Sequence, residues 1–157
     1  MAPSFLVDMS KVDLDRVMFA VQDIEKLNPH RGAMRMLDGV TWQSEDGFFA
    51  IAWKDIRDDE FWVPGHIPGR PVFPGVLMIE VAAQMCSFMY QRRLSAPRFL
   101  GFVGVDDVKF RGQVVPGDRF WILAEELEFK ARRAICRCQG VVDGNLVFEG
   151  TIRGMPI

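Results

Sequence analysis

The stretch Val72-Phe73-Pro74-Gly75-Val76-Leu77-Met78-Ile79-Glu80-Val81-Ala82-Ala83-Gln84-Met85-Cys86-Ser87-Phe88-Met89-Tyr90 decides the fold. Proline is tolerated in the first turn of a helix, so Pro74 marks a start. From there, residues 75–94 predict one long helix that is apolar on nearly every side. Such a helix has to be covered on most of its faces. It does not read as a membrane span, which wants about 20 mostly apolar residues, because Pro74, Gly75, Glu80 and Gln84 interrupt the run.

Working outward, residues 98–110, 119–130, 132–142 and 146–153 read as strands. Asp143-Gly144-Asn145 supplies a hairpin signal between the last two. Ahead of the helix, residues 34–43 and 48–53 read as two more strands around Glu45-Asp46-Gly47. Ser10 and Asp13, with Val12, Val17, Val21 and Ile24, predict an N-terminal helix that stops before Asn28-Pro29. One apolar helix followed by consecutive strands is an α+β pattern, with a single antiparallel sheet curling around the helix.

The composition narrows the chemistry. The chain has 157 residues, the size of one domain, and no internal repeat or linker divides it, so 1–157 is expected to be a single unit. Hydrophobic residues make up 49%, enough for a core that needs neither disulfides nor metal. The net charge of −2 suggests no nucleic acid or membrane surface as partner. The charge is unevenly spread, because Arg92, Arg93, Arg98, Arg111, Arg119, Arg132 and Arg133 crowd the later part. That pattern is either an ordinary solvated surface or a face for an anionic partner. The early acids and the lack of a basic, apolar leader predict a cytosolic protein. Three Cys without a paired framework fit a reducing compartment, and the spacing of Cys86, Cys136 and Cys138 does not suggest a zinc site. The only imidazoles are His30 and His66.

Gly65-His66-Ile67-Pro68-Gly69 is a stiff loop whose glycines allow close backbone approach. It places His66 just ahead of a helix N-terminus, where the first N–H groups lack intrahelical partners. Pro74 has no N–H, so the first free donors belong to Gly75 and Val76. One such donor is worth about 2.7–4 kcal/mol to a developing oxyanion. Glu80 is the one acid inside the apolar run. It is either a proton donor or an acid satisfied by a buried Arg or by reaching the surface. His66 is likewise either a catalytic base or a hydrogen-bonded loop residue. Gln84 lies one turn beyond Glu80 and is within reach of it. Gly75 and Glu80, five residues apart, differ by about 140° around the axis. A dimer would reconcile them, with one chain's Glu80 meeting the other's His66. His30, in the loop after the first helix, is expected to be structural.

The block Gly65-His66-Ile67-Pro68-Gly69-Arg70-Pro71-Val72-Phe73-Pro74-Gly75-Val76-Leu77-Met78-Ile79-Glu80-Val81-Ala82-Ala83-Gln84 closely resembles the signature of bacterial (3R)-hydroxyacyl-acyl-carrier-protein dehydratases of the A/Z family. Pro29-His30-Arg31 with Met36-Leu37-Asp38, Val108-Lys109-Phe110-Arg111, and Val114-Val115-Pro116-Gly117-Asp118 resemble its flanking segments. The likeness spans roughly residues 23–153, and Glu80 rather than Asp favours the Z-type. The resemblance implies a hot-dog fold and a homodimer, often three dimers to a homohexamer, with sites at the dimer interface. It implies His66 as the base at substrate C2, and Glu80 of the partner subunit as the group that helps expel or position the C3 hydroxyl. It implies the Gly75 N–H on the thioester carbonyl and the Val72 carbonyl holding the His66 ring. It also implies an acyl carrier protein as partner, an apolar tunnel for the acyl tail, fatty acid biosynthesis as the setting, and no metal or redox cofactor. This chain departs from the family pattern at Ile67, at Arg31-Gly32-Ala33-Met34, and in residues 1–22, which extend beyond the usual start. The alternatives are a hot-dog thioesterase, in which Glu80 activates water, or a non-catalytic acyl-binding subunit.

Overall fold

A computed structural model describes residues 2–157. Leu, Met, Ala and Gln favour helix in the long run, and it forms α2 (Gly75–Arg92). Pro74 stands one residue earlier than expected. It is the N-cap, and its carbonyl accepts from the Leu77 and Met78 N–H groups at 2.9 and 3.2 Å. From Met85 to Gln91 every residue of α2 is buried, including Gln84 just before. The remaining elements are α1 (Val21–Glu25), β1 (Gly39–Gln43), β2 (Phe49–Asp55), β3 (Leu100–Phe110), β4 (Arg119–Lys130), β5 (Arg133–Val142) and β6 (Asn145–Pro156). The six strands form one antiparallel sheet in the order β1-β2-β4-β5-β6-β3.

The sheet wraps α2, chiefly through β4, β5 and β6. Strand alternation makes this possible. Along β5, Ala134, Cys136 and Cys138 are fully buried and join the helix side chains Met85, Phe88 and Met89 in the main core. The thiols of Cys86, Cys136 and Cys138 are free and buried. A hydrogen bond donated to Cys86 and burial push the Cys136 thiol well up, and burial does the same to Cys138. The β5–β6 connection is a two-residue turn with Asp143 at φ 48° and Gly144 at φ 74°. Two positive φ values in succession are what a type I′ hairpin needs. No helix among the described residues is long and apolar enough to cross a membrane.

The N-terminal helix expected from Ser10 to just before Asn28 does not form. Instead there is a 3-10 turn, Met9–Lys11, whose N-cap Asp8 accepts from the Ser10 N–H, and then the short α1. The apolar residues that suggested one helical stripe serve opposite faces of the sheet. Ile24 enters the main core beneath α2. Val7, Leu6, Met9, Val12 and Leu14 instead cover the outer face, on Ile51, Leu123 and Val141 with Trp42 and Trp121. Residues 4–6 are tied there by the Leu6 N–H donating to Gln139 Oε1 at 2.7 Å, while Gln139 Nε2 donates to the Ser4 carbonyl at 3.1 Å. A single straight helix cannot pack on both sides of a sheet, so the segment runs as a strap. Likewise, the strand expected from residue 34 begins only at Gly39, because Gly32–Met34 is a 3-10 turn.

Two measurements test this packing. Val7→Ala removes about two buried methylene equivalents, so urea unfolding should report a loss of about 1.5 kcal/mol. An unchanged midpoint would mean the strap adds no stability through this contact. The second concerns Glu126, buried on β4 with Arg93 Nε 2.7 Å from Oε1. Burial raises its carboxyl from 4.5 to about 7, with Arg93 opposing. Below pH 4.5 the group is protonated in both states. Between 4.5 and 7 only the unfolded chain has released the proton, so stability falls as pH rises through that window. The total is roughly 3 kcal/mol. Glu126→Gln removes this titration, and its stability relative to wild type should rise by about that amount between pH 4.5 and 8. A gap that does not change with pH would contradict it.

Candidate active site

The loop ahead of α2 carries four prolines, Pro64, Pro68, Pro71 and Pro74, which limit its conformations. Backbone bonds close it further. The His66 N–H donates to the Trp62 carbonyl at 2.8 Å, and the Val72 N–H donates to the His66 carbonyl at 3.0 Å. The Phe73 N–H anchors the loop's end on the Val114 carbonyl at 2.7 Å, and the Phe73 ring packs against Trp62 and Phe120. The His66–Ile67 peptide is cis. Within this frame the His66 ring is exposed, and its Nδ1 lies 2.7 Å from the Val72 carbonyl oxygen. A carbonyl oxygen can only accept, so Nδ1 carries the proton in the neutral ring. Nε2 is then left with a free lone pair, the arrangement of a base.

Nε2 has a groove to serve. His66, Val72, Gly75, Val76, Met78 and Phe110 line an open pocket of about 380 Å³ at the N-terminus of α2. Gly75 is the first helical residue, so its N–H has no intrahelical acceptor. Its lack of a side chain has a second cause beside access for a ligand. A Cβ there would lie 2.9 Å from the Phe110 ring, which fills that space. The pocket therefore offers a lone pair from His66 and a donor at the positive end of an 18-residue helix, beside apolar walls.

Glu80 lies in a different place. It borders a small cavity of about 60 Å³ between α2, β3 and β6, with His30, Ala83, Cys86, Ser87, Leu100, Phe102 and Ile152. The two pockets share no residue. The Glu80 side chain is 28% exposed, and Gln84 Nε2 donates to its Oε1 at 2.8 Å. Gln84 is itself fully committed. Its Oε1 accepts from the Met36 N–H at 2.8 Å, and its second amide proton goes to the Met34 carbonyl at 2.7 Å. The Met36 N–H identifies which amide atom is oxygen, so the orientation towards Glu80 is determined. No Arg pairs with Glu80. Its ionisable neighbour is His30, with Nε2 3.5 Å from Glu80 Oε1. Burial pushes the His30 imidazole below its ordinary 6.5, Glu80 opposes that shift, and Arg31 adds to it.

The sequence-predicted residues thus fall into two groups. His66, Val72 and Gly75 meet at one pocket, and Glu80, bonded by Gln84, borders another, in keeping with the angular offset along the helix. His30 had been assigned a structural place in its loop. Its contact with Glu80 bridges 50 positions of sequence, and only the scarcity of imidazoles hinted at it. Among the described residues, no group of three or more His, Cys, Asp and Glu side chains is disposed to hold a metal ion.

Known proteins resemble this chain in sequence and in fold. The family model described as FabA-like domain matches residues 28–151. The chain is 36% identical over 137 residues to the 3-hydroxyacyl-[acyl-carrier-protein] dehydratase FabZ of Escherichia coli strain HS, covering 84% of this chain and 89% of that one. Against the enzyme of the same name from Herpetosiphon aurantiacus it is 34% identical over 137 residues, covering 85% and 94%. Among solved structures, the dehydratase heterocomplex ApeI:P from Xenorhabdus doucetiae superposes with a TM-score of 0.74 at 16% identity, over 85% of this chain and 90% of that one. A hypothetical thioesterase from Streptococcus pneumoniae superposes at 0.58 with 8% identity, over 75% and 84%. At such identities these two speak for the fold alone, a hot-dog in which one long helix is wrapped by an antiparallel sheet. With the match spanning most of its length and its site-bearing loop and helix, the chain belongs to the FabA-like family.

Proposed function

We propose that this protein is a lyase that dehydrates (3R)-3-hydroxyacyl groups carried on acyl carrier protein to trans-2-enoyl groups, in fatty acid biosynthesis. The observation that carries the reading is the His66 ring held through Nδ1 on the Val72 carbonyl, with Nε2 free beside the Gly75 N–H. The identity to FabZ dehydratases over most of the chain supports the same substrate class.

In this mechanism the thioester carbonyl oxygen accepts the Gly75 N–H, which draws charge from C2 as it forms. Nε2 of His66 takes the C2 proton. The C–H electron pair becomes the C2=C3 double bond and the C3–O bond breaks. The hydroxyl departs as water with a proton supplied by Glu80, and proton exchange with solvent resets both groups. The acyl tail runs into the cavity bordered by Ala83, Leu100, Phe102 and Ile152. The pantetheine arm enters across the exposed groove, and the basic later half faces an acidic carrier. A cytoplasmic setting fits three cysteines that remain free thiols.

His66 and Glu80 line separate pockets of one chain, so the reading requires a homodimer in which each site takes Glu80 from the partner protomer. Support comes from β3, which ends the sheet. Phe102, Val103 and Phe110 are more than half exposed along it. An apolar edge with unpaired backbone groups is a surface that a second copy covers. Assembly of three such dimers is compatible with the same contacts.

The test is a panel of 3-hydroxyacyl thioesters of carrier protein and of coenzyme A, followed for enoyl product. Turnover by wild type is expected, with His66→Ala and Glu80→Gln each lowering kcat by about 10²–10⁴. Release of free thiol without enoyl would replace this reading with a thioesterase, and no turnover at any chain length would remove it. The composite site is tested separately by mixing His66→Ala and Glu80→Gln protomers under exchange. One site in each mixed dimer regains both groups, so activity should partly return. No recovery in proven heterodimers would mean that the site lies within one chain.

A further inference from the structure

We propose that His30 is a positioning residue for Glu80. It holds carboxyl oxygen Oε1 through its Nε2 and leaves Oε2 as the oxygen that serves the substrate. This rests on the dehydratase reading and assigns a role beyond the His66–Glu80 pair.

His30 borders the Glu80 cavity. Nε2 is 3.5 Å from Glu80 Oε1, whereas Nδ1 is buried without a hydrogen-bond partner. A neutral imidazole carries one N–H, and here only Nε2 faces an acceptor, so the proton belongs there. Burial of the ring favours that neutral form. Gln84 Nε2 already donates to the same Oε1 at 2.8 Å. With the Gln84 amide bonded to Oε1 and His30 Nε2 3.5 Å from the same atom, a proton carried by the carboxyl sits on Oε2, and it is Oε2 that delivers it to the departing hydroxyl.

The loop that presents His30 is built onto the same frame. Arg31 Nη1 donates to the carbonyls of Asn28 and His30, both at 2.8 Å, and Nη2 donates to the Glu25 carbonyl at 2.7 Å. Asn28 Nδ2 donates to the Gln84 backbone carbonyl at 2.9 Å. The imidazole is therefore tied to α2 at the residue that also orients Glu80. In the composite site, His30, Gln84 and Glu80 arrive together from one protomer, and His66, Val72 and Gly75 from the other.

Steady-state kinetics with a 3-hydroxyacyl carrier-protein thioester test this on full-length His30→Phe, His30→Gln and His30→Asn. Misdirecting a reacting group by about an ångström costs up to about a hundredfold. His30→Phe should therefore lose about tenfold to a hundredfold in kcat, with KM changed less than about threefold. The amide nitrogen of Gln reaches the place of Nε2 and that of Asn the place of Nδ1, so Gln should recover most of the rate and Asn should not. Should the Phe variant not fold, the comparison of Gln with Asn decides alone. Equal rates for Gln and Asn, a Phe variant within about twofold of wild type, or a loss confined to KM would each overturn the proposal. If wild type itself turns over no thioester, the dehydratase reading falls and this one with it.

Discussion

An apolar helix that must be buried on every side is the constraint on which the rest of this structure depends. From Gln84 to Gln91 α2 exposes no residue. A flat sheet covers one side of a helix, so the strands have to curl around it. Curling follows from the right-handed twist of antiparallel strands. It is aided by register shifts in β1, β3, β4 and the β5–β6 pair. The cost is an outer face that still carries Ile51, Leu123 and Val141, and residues 5–14 lie across it as a strap. The same curl leaves the first turn of α2 uncovered, with Val76 71% exposed. Beside that turn lies the pocket lined by His66, Val72 and Gly75.

The site follows from how the buried helix begins and what sits one turn into it. At its start, unpaired N–H groups and the free Nε2 of His66 face a single groove. Further along, Glu80 is oriented by a Gln84 amide whose oxygen and both protons are already committed. A carboxyl fixed in this way keeps its geometry at little entropic cost, because the restraint is part of the packed core. Helical periodicity turns Gly75 and Glu80 to different sides of α2, which is what the proposed two-chain site would reconcile. In that proposed dimer the exposed apolar residues Phe102, Val103 and Phe110 of β3 would be covered.

Much of this was legible in the residues. The hairpin at Asp143-Gly144, the long strands after the helix and the bounds of α2 came from local signals: positive φ at a glycine turn, alternation, and a proline at a helix start. The His66 loop was legible too, because Pro64, Pro68 and Pro71 restrict the backbone whatever surrounds them, and Gly69 permits the positive φ of the turn. The N-terminal segment was not. Val12, Val17, Val21 and Ile24 keep helical spacing, but Val12 belongs to one side of the sheet and Ile24 to the other. Spacing records that residues are apolar and not which of two cores receives them.

His30 makes the same point for the site. Its neighbours in sequence explain the loop, through the Arg31 bonds to Glu25 and Asn28, and nothing local indicates Glu80. The residues alone were enough for the fold class, the His66 loop, the helix N-terminus and the place of Glu80 in the apolar run, because each rests on interactions between residues a few positions apart. Only the tertiary structure decided that His66 and Glu80 open onto separate pockets, that His30 stands beside Glu80, and that the N-terminal residues form a strap. Each of these depends on how the sheet closes around α2, and contacts across tens of residues leave no periodic trace in the chain.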